Sequence, residues 1–356
     1  MFCLSDYKKS EDYLMKQALI IHATEHNPWF NLALEHFLME QVEDNTWDAV
    51  FYLWQNDHTV VIGRNQNAWA ECSTGQLEAD GGHLARRSTG GGAVYHDLGN
   101  LNFSIILPRS VFNIDRNFDM IIQAVRSQGI DAERSGRNDI LASGLKFSGN
   151  AFSLHRNAGL HHGTLLVNSD YAKLSRYLTV SAKKLQSKGV ASVRSRVTNL
   201  QDMNPAVSVQ TLNDAMADAF CQAYCKDPEW EITHMSDAAV RHLDRLRVLN
   251  EHYASWSWRY GESLQLDIVV DHRFDWGSFQ IGFLVEKGFV RQTKIYSDAL
   301  DSDYIDLLPG LFQDCRFHSD PLKQVLLSAD FPEDDLVTSR QKMTADIAGL
   351  IAEQNW

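Results

Sequence analysis

Arg86-Arg87-Ser88-Thr89-Gly90-Gly91-Gly92 runs into the short apolar stretch Ala93-Val94-Tyr95-His96 and then Asp97-Leu98-Gly99-Asn100. Three consecutive glycines have no Cβ to hold another molecule away, and two guanidinium forks beside them supply positive charge. Such a stretch suits a phosphate or a carboxylate. A flexible basic turn would read the same in isolation, so the surrounding chain has to decide. The pattern there predicts a hairpin: a strand over 93–96, a tight turn over 97–100, and a return strand through Phe103-Ser104-Ile105-Ile106-Leu107.

Upstream, Asn27-Pro28-Trp29-Phe30 reads as a helix start, with Asn27 as cap and Pro28 in the first turn. Phe30, Leu34, Phe37 and Leu38 follow at helical spacing. Val50-Phe51-Tyr52-Leu53-Trp54 and Thr59-Val60-Val61-Ile62-Gly63-Arg64 are strand-like. Downstream, 116–130 is expected to be a helix burying Phe118, Ile121, Ile122 and Val125, and 210–225 another. Between them, Asp139 to Leu141 and Leu145 to Ser148 flank a Ser143-Gly144 turn. Alternation puts Leu145 and Phe147 on one face of that second strand and Lys146, Ser148 and Asn150 on the other. A lysine among polar face-mates can serve catalysis; a solvated strand lysine has the same surroundings.

After Trp256-Ser257-Trp258 the pattern changes. Phe279, Ile281, Phe283 and Val285 alternate, Glu286-Lys287-Gly288 turns the chain, and helices are expected near 303–313 and 339–353. This predicts a separate α+β unit over 262–356 after a larger one over 1–250, with the connection inside 228–262. A chain of 356 residues, 44% hydrophobic and 22% charged, has core enough for both.

The net charge of −13 argues against nucleic acid as the main partner. Five scattered cysteines fit a reducing compartment without a disulfide framework. Cys221 and Cys225 could share a helix face, but nothing completes a zinc spacing, so they read as buried thiols. Lys8, Lys9, Glu11 and Asp12 interrupt the first twenty residues, so neither a targeting segment nor a membrane span is expected, and the protein reads as cytoplasmic. The chain contains no Walker loop, no Gly-x-Gly-x-x-Gly and no Gly-x-Ser-x-Gly. His161 and His162, being adjacent, cannot easily face one ion from a regular element.

Several colinear segments together resemble the lipoate–protein ligase A family, of the long two-domain bacterial type within the biotin and lipoate protein ligase superfamily. They are residues 27–33, 59–64 and 86–100, Ser135 to Asp139, Lys146-Phe147-Ser148-Gly149, and His161-His162-Gly163-Thr164-Leu165-Leu166. The run from Lys188 to Leu200, Trp256 to Trp258, and 283–288 continue the series. The resemblance implies an α+β fold: a catalytic domain like those of biotin protein ligases and class II synthetases, with mixed sheets flanked by helices, plus a small C-terminal accessory domain. The implied activity joins lipoate and ATP into lipoyl-AMP, releases pyrophosphate, and passes the lipoyl group to a lysine of a carrier domain. The implied partners are apo lipoyl domains of 2-oxoacid dehydrogenase complexes and the glycine cleavage H protein. The implied physiological role is lipoate scavenging by a monomer.

By the same resemblance, Lys146 is the catalytic lysine, contacting both the lipoyl carbonyl and the α-phosphate. Arg87, Gly92, Ala93, Val94 and Tyr95 match the ATP and adenylate segment, and Asp139 the Mg²⁺ position. Trp54, Glu35, His96 and Arg86 fall in the lipoate pocket. Arg194 and Arg196, in a basic run with Lys183, Lys184 and Lys188, belong to a loop over the adenylate. The stretch from Asp139 to Lys146 is shorter here than in some long-type members. An octanoyltransferase would need a cysteine nucleophile, and none lies between Lys146 and Asn199. A sensor of lipoyl-AMP would carry an appended DNA-binding element, for which the short N-terminal extension leaves no room. A transferase that receives ready-made lipoyl-AMP stays open at this point.

Overall fold

The run Ala49–Trp54 is apolar at every position, and a strand of that kind has to be covered on both faces. In the computed structural model, which describes residues 16–179, 197–261, 266–332 and 338–356, it lies inside an eight-stranded mixed sheet. The strand order is β11 (Trp230–Ser236), β1 (Lys16–His22), β2 (Ala49–Trp54), β6 (Asn100–Pro108), β10 (Ala158–Leu166), β9 (Leu145–His155), β8 (Asp139–Ala142) and β7 (Glu133–Ser135). The pairs of β1 with β11 and β2 are parallel; from β2 onward the ladder is antiparallel.

Alternation sorts β2 between two cores. Phe51 and Leu53 face the helices Ile114–Ser127 and Val209–Tyr224, packing with Phe118, Ile121, Met216 and Phe220. Val50, Tyr52 and Trp54 face the first helix, Pro28–Glu43, and the helix Asp244–Ala254, among Leu32, Phe37, Leu38, Leu249 and Tyr253. The first helix starts as its sequence predicts: Asn27 Oδ1 accepts from the amides of Trp29 and Phe30, with Pro28 in the first turn.

The expected hairpin around residue 97 is not formed. The turn itself is present, with Asn100 N donating to Asp97 O at 3.0 Å and Gly99 N to Asp97 Oδ1 at 2.9 Å. However, β5 (Val94–His96) joins a separate three-stranded sheet, beside β3 (Thr59–Ile62) and β4 (His83–Arg86). The reason is that β6 is paired along both edges, with β2 and β10, and has no edge left for β5.

The segment 228–262, expected to contain the connection, is largely folded: β11 and the helices Asp244–Ala254 and Trp256–Tyr260 lie in it. Beyond it, β12 (Ile268–Phe274), β13 (Gly277–Glu286) and β14 (Phe289–Ser297) form an antiparallel meander. The expected alternation holds, with Phe279, Ile281 and Phe283 buried against the helices Ser302–Leu311, Ser319–Ser328 and Arg340–Glu353. This portion touches the glycine-rich loop: Gly91 N donates to Ala299 O at 3.1 Å, and a Cβ on Gly90 would lie 2.1 Å from that carbonyl. Arg64 adds an ion pair with Asp306 at 2.6 Å. Cys225 is buried and its thiol is pushed up to about 12 by burial. Among the described residues no helix is long and apolar enough to cross a membrane.

Candidate active site

The chemistry sits on the face of the large sheet that looks toward the first helix. On β6, Asn102 and Ser104 alternate with Leu101, Phe103 and Ile105, which go to the opposite core. Register places Ser104 between Tyr52 of β2 and His162 of β10, and Asn102 between Trp54 and Thr164. Two polar rows thus cross an otherwise apolar sheet. His161 and His162 point to opposite faces: His161 is packed among Phe103, Phe118 and Phe152, its Nε2 2.9 Å from Asn150 Oδ1.

Against these rows lies a cavity of about 120 Å³. Leu32, Trp54, Val61 and Ala151 give it an apolar wall; Arg87, His96, Asn102, Lys146, Asn150 and Thr164 supply the polar groups. A larger cleft is lined by Tyr95, Asp139, Leu141 and Val197, and Ala93, Val94, Lys146, Gly149 and Thr164 line both spaces. Lys146 therefore stands at the junction. Its Nζ is 2.6 Å from Asp139 Oδ1, across a β8–β9 ladder interrupted by a bulge, a device that re-aims side chains. The lysine stem lies over Gly149, where a Cβ would come within 3.0 Å of Nζ.

Arg87 organises the loop. Its buried guanidinium donates to Gly90 O at 2.6 Å, Gly92 O at 2.8 Å and Thr89 Oγ1 at 3.2 Å, curling the glycines around it. Burial lowers its pKa to about 10, so it remains charged at neutral pH. The loop can fold back this tightly because position 63 is glycine: a Cβ there would lie 2.2 Å from Gly91 O. Gly91 itself has φ +91°, a conformation that glycine adopts without strain. Gly92 meets nothing that a Cβ would touch within 4 Å and lines the cavity.

The polar groups behind the wall have defined proton positions. Asn31 accepts from Tyr52 at 2.9 Å and donates to Asn56 Oδ1 at 3.0 Å, which turns the Asn56 amide N–H toward His96 Nδ1 at 3.1 Å. His96 thus carries its proton on Nε2, and burial pushes its pKa down to about 3, so the ring is neutral. It meets Trp54 edge-on, with centroids 6.1 Å apart.

Two residues expected in the lipoate pocket stand elsewhere. Arg86, the neighbour of Arg87 in an extended segment, points the opposite way. Its guanidinium donates to the carbonyls of Gly63, Arg64, Gln66, Trp258 and Arg259, clasping the helix Trp256–Tyr260. Glu35 is buried one layer behind the cavity and does not line it. The Tyr95 ring is buried against Tyr177 and His58, leaving its backbone to the cleft. Arg194 and Arg196, with Lys183, Lys184 and Lys188, lie outside the described residues. Sequence reasoning missed Asn102, Thr164 and Asn138 as cavity residues, although Asn102 and Thr164 sit at polar positions in otherwise apolar strands. Among the described residues no three His, Cys, Asp or Glu side chains could hold a metal by themselves. A cation in this cleft would rest on Asp139 and on ligand oxygens, as is usual for Mg²⁺.

Two family models match the chain: the lipoyl protein ligase A/B catalytic domain over residues 27–221 and the bacterial lipoate protein ligase C-terminus over residues 263–344. Fold, cavity and match together define an enzyme of the ligase class. A lipoate-protein ligase A of Psychrobacter cryohalolentis is 40% identical over 305 residues, 83% of this chain and 88% of that protein. The chain belongs to the lipoate–protein ligase A family. Among solved structures, LipL1 of P. falciparum in complex with lipoate superposes with a TM-score of 0.81 at 27% identity, covering 95% of this chain and 99% of that one. The archaeal bipartite ligase of Thermoplasma acidophilum, described with its E2 lipoyl domain, gives 0.58 at 26% identity, covering 71% and 100%. A lipoate-protein ligase A bound with ATP gives 0.56 at 27% identity, covering 69% and 99%. The expected α+β architecture with mixed sheets is the one found.

Proposed function

We propose that this enzyme activates lipoate with ATP and then lipoylates a carrier domain. In the first step a lipoate carboxylate oxygen attacks the α-phosphorus, the bond from that phosphorus to the bridging oxygen breaks, and pyrophosphate leaves. In the second, the neutral amine of a carrier lysine attacks the acyl carbonyl, AMP departs with the bonding oxygen, and the amine proton goes to solvent. The observation that carries this reading is the position of Lys146, where the cavity walled by Trp54 and a larger cleft beside Asp139 meet. Two anions must approach one another in the first step, and an ammonium at the junction lowers the energy of that encounter as charge moves onto the phosphate.

The acyl chain occupies the cavity against Trp54, and the adenylate lies in the cleft along the backbone of Gly92 to Tyr95, with the Arg87 charge close by. Asp139 holds Mg²⁺, which when bound neutralises phosphate charge; the other Asp139 oxygen keeps Lys146 aimed. Residues 1–250 carry these steps and 262–356 form an accessory unit. Carriers are apo lipoyl domains of 2-oxoacid dehydrogenases and the glycine cleavage H protein, and the physiological role is lipoate scavenging. The test is mass spectrometry of an apo lipoyl domain incubated with the enzyme, lipoate and MgATP. A gain of one lipoyl group, lost when ATP is omitted, is expected. Transfer from synthetic lipoyl-AMP alone, with no product from lipoate and ATP, would overturn the activating role.

A further inference from the structure

Where the catalytic portion meets the C-terminal unit lies a further cavity, of about 230 Å³, which shares no lining residue with the two spaces around Lys146. Arg64, Gln66 and Arg86 come to it from one side, and Lys294, Tyr296 and Asp306 from the other. Alternation along β14 places Lys294 and Tyr296 on one face, while Ile295 between them goes to the C-terminal core. Three cations and one carboxylate line the cavity, so its wall is positive. That carboxylate is already engaged, since Asp306 holds Arg64 at 2.6 Å.

The donors in this wall outnumber their acceptors. Arg86 is 6% exposed, and among the described residues its guanidinium meets no carboxylate; it donates to carbonyl oxygens only. Nη2 makes one of these bonds, to Arg259 O at 2.9 Å, which leaves one of its two N–H groups over. Gln66 is 2% exposed. Its Oε1 accepts from the Gly63 amide at 2.8 Å, which fixes the side-chain amide and leaves Nε2 as a buried donor without a partner. Lys294 has no ion pair among the described residues, and its Nζ lies 5.8 Å over the Tyr296 ring.

A buried charge without a counter-charge and a buried donor without an acceptor both cost free energy. One kind of ligand relieves both: an anion with several acceptor oxygens. Three donors on three separate segments suit a phosphate, with its extra oxygen and charge, better than a planar carboxylate.

We propose that this seam cavity binds a small phosphate-class anion, free phosphate or pyrophosphate, through Arg86, Gln66 and Lys294, and that the anion ties the C-terminal unit to the catalytic portion.

The test titrates inorganic phosphate and pyrophosphate separately onto the full-length enzyme, at constant ionic strength and without lipoate or ATP. At least one of them should bind by calorimetry and move the backbone amide signals of both Gly261 and Ile295, on the two sides of the seam. At ten times its dissociation constant it should raise the melting temperature by at least about 2 °C. The tighter of the two identifies the ligand. Lys294→Met should weaken binding by at least about ten-fold. Gln66→Glu keeps the oxygen that accepts from Gly63 and sets a negative charge where Nε2 stood, so it should abolish binding. Lys146→Met, whose position does not line this cavity, should leave binding unchanged. Failure of both anions to bind wild-type enzyme would overturn the proposal, as would full-strength binding to the seam variants. Signals that move only over Gly92 to Tyr95, with binding lost in Lys146→Met, would place the anion in the nucleotide cleft and overturn it too. If one seam variant fails to fold, the other decides.

Discussion

Replacing Lys146 by methionine keeps most of the aliphatic stem over Gly149 and removes only the charge. The ion pair with Asp139 spans 2.6 Å, but both side chains are about one-third exposed, at 36% and 35%. Such a pair contributes about 1 kcal/mol at most to folding, so melting should shift by no more than about 4 °C. The effect on activation is much larger. A unit charge about 4 Å from a phosphate oxygen, at an effective dielectric near 20, is worth about 4 kcal/mol, which is about a thousand-fold in rate. Loss of one donor to a developing oxyanion in other enzymes falls on the same scale, about 10² to 10³. Lipoate-dependent ATP–pyrophosphate exchange and thermal unfolding, measured on one preparation, separate the two effects. Exchange should fall by at least about a hundred-fold while the melting temperature barely moves. Exchange within ten-fold of wild type would refute the role of the ammonium, and a collapse in melting would make the lysine a structural residue.

Asp139→Asn should shift the half-saturating Mg²⁺ concentration for exchange upward while leaving lipoate binding, read by calorimetry, unchanged. Trp54→Ala removes a large buried side chain from the cavity wall, so it should cost about 3–5 kcal/mol of stability and raise the lipoate KM more than the ATP KM. Gly63→Ala forces a Cβ to within 2.2 Å of Gly91 O; the displaced loop should lower exchange by more than ten-fold in an enzyme that remains folded by circular dichroism. Burial lowers the pKa of His96 to about 3 and that of His161 well below its ordinary value. Because the unfolded chain binds these protons first, their contribution to stability is complete above about pH 6.5 and is lost as the pH falls below it. Urea midpoints measured between pH 7 and pH 5 should drop, with a slope approaching about 1.4 kcal/mol per pH unit for each ring.

Much of the site is legible in single residues whose type has one good explanation. Asn27 with Pro28 marks a helix start because both act locally, and the cap forms as expected. The glycine run marks a close backbone approach, and Gly90 and Gly91 both turn out to need it. Partnership between strands is another matter. β5 and β6 are adjacent in the chain and look like a hairpin, yet the choice between them was made by β2 and β10, which claim both edges of β6. β1 and β11 pair across more than two hundred positions of sequence, and no local pattern announces such a pairing. Arg86 and Arg87 look equivalent as letters; only the pleat sends one to five carbonyls and the other to the loop.

The hydrogen bond from Gly91 N to Ala299 O gives the protein a built-in reporter. That one amide proton is shielded by a residue more than two hundred positions away, so its rate of exchange with deuterated solvent measures how often the C-terminal portion lets go of the loop. A single cross-peak, followed with and without nucleotide, would time that release without any label attached to the chain.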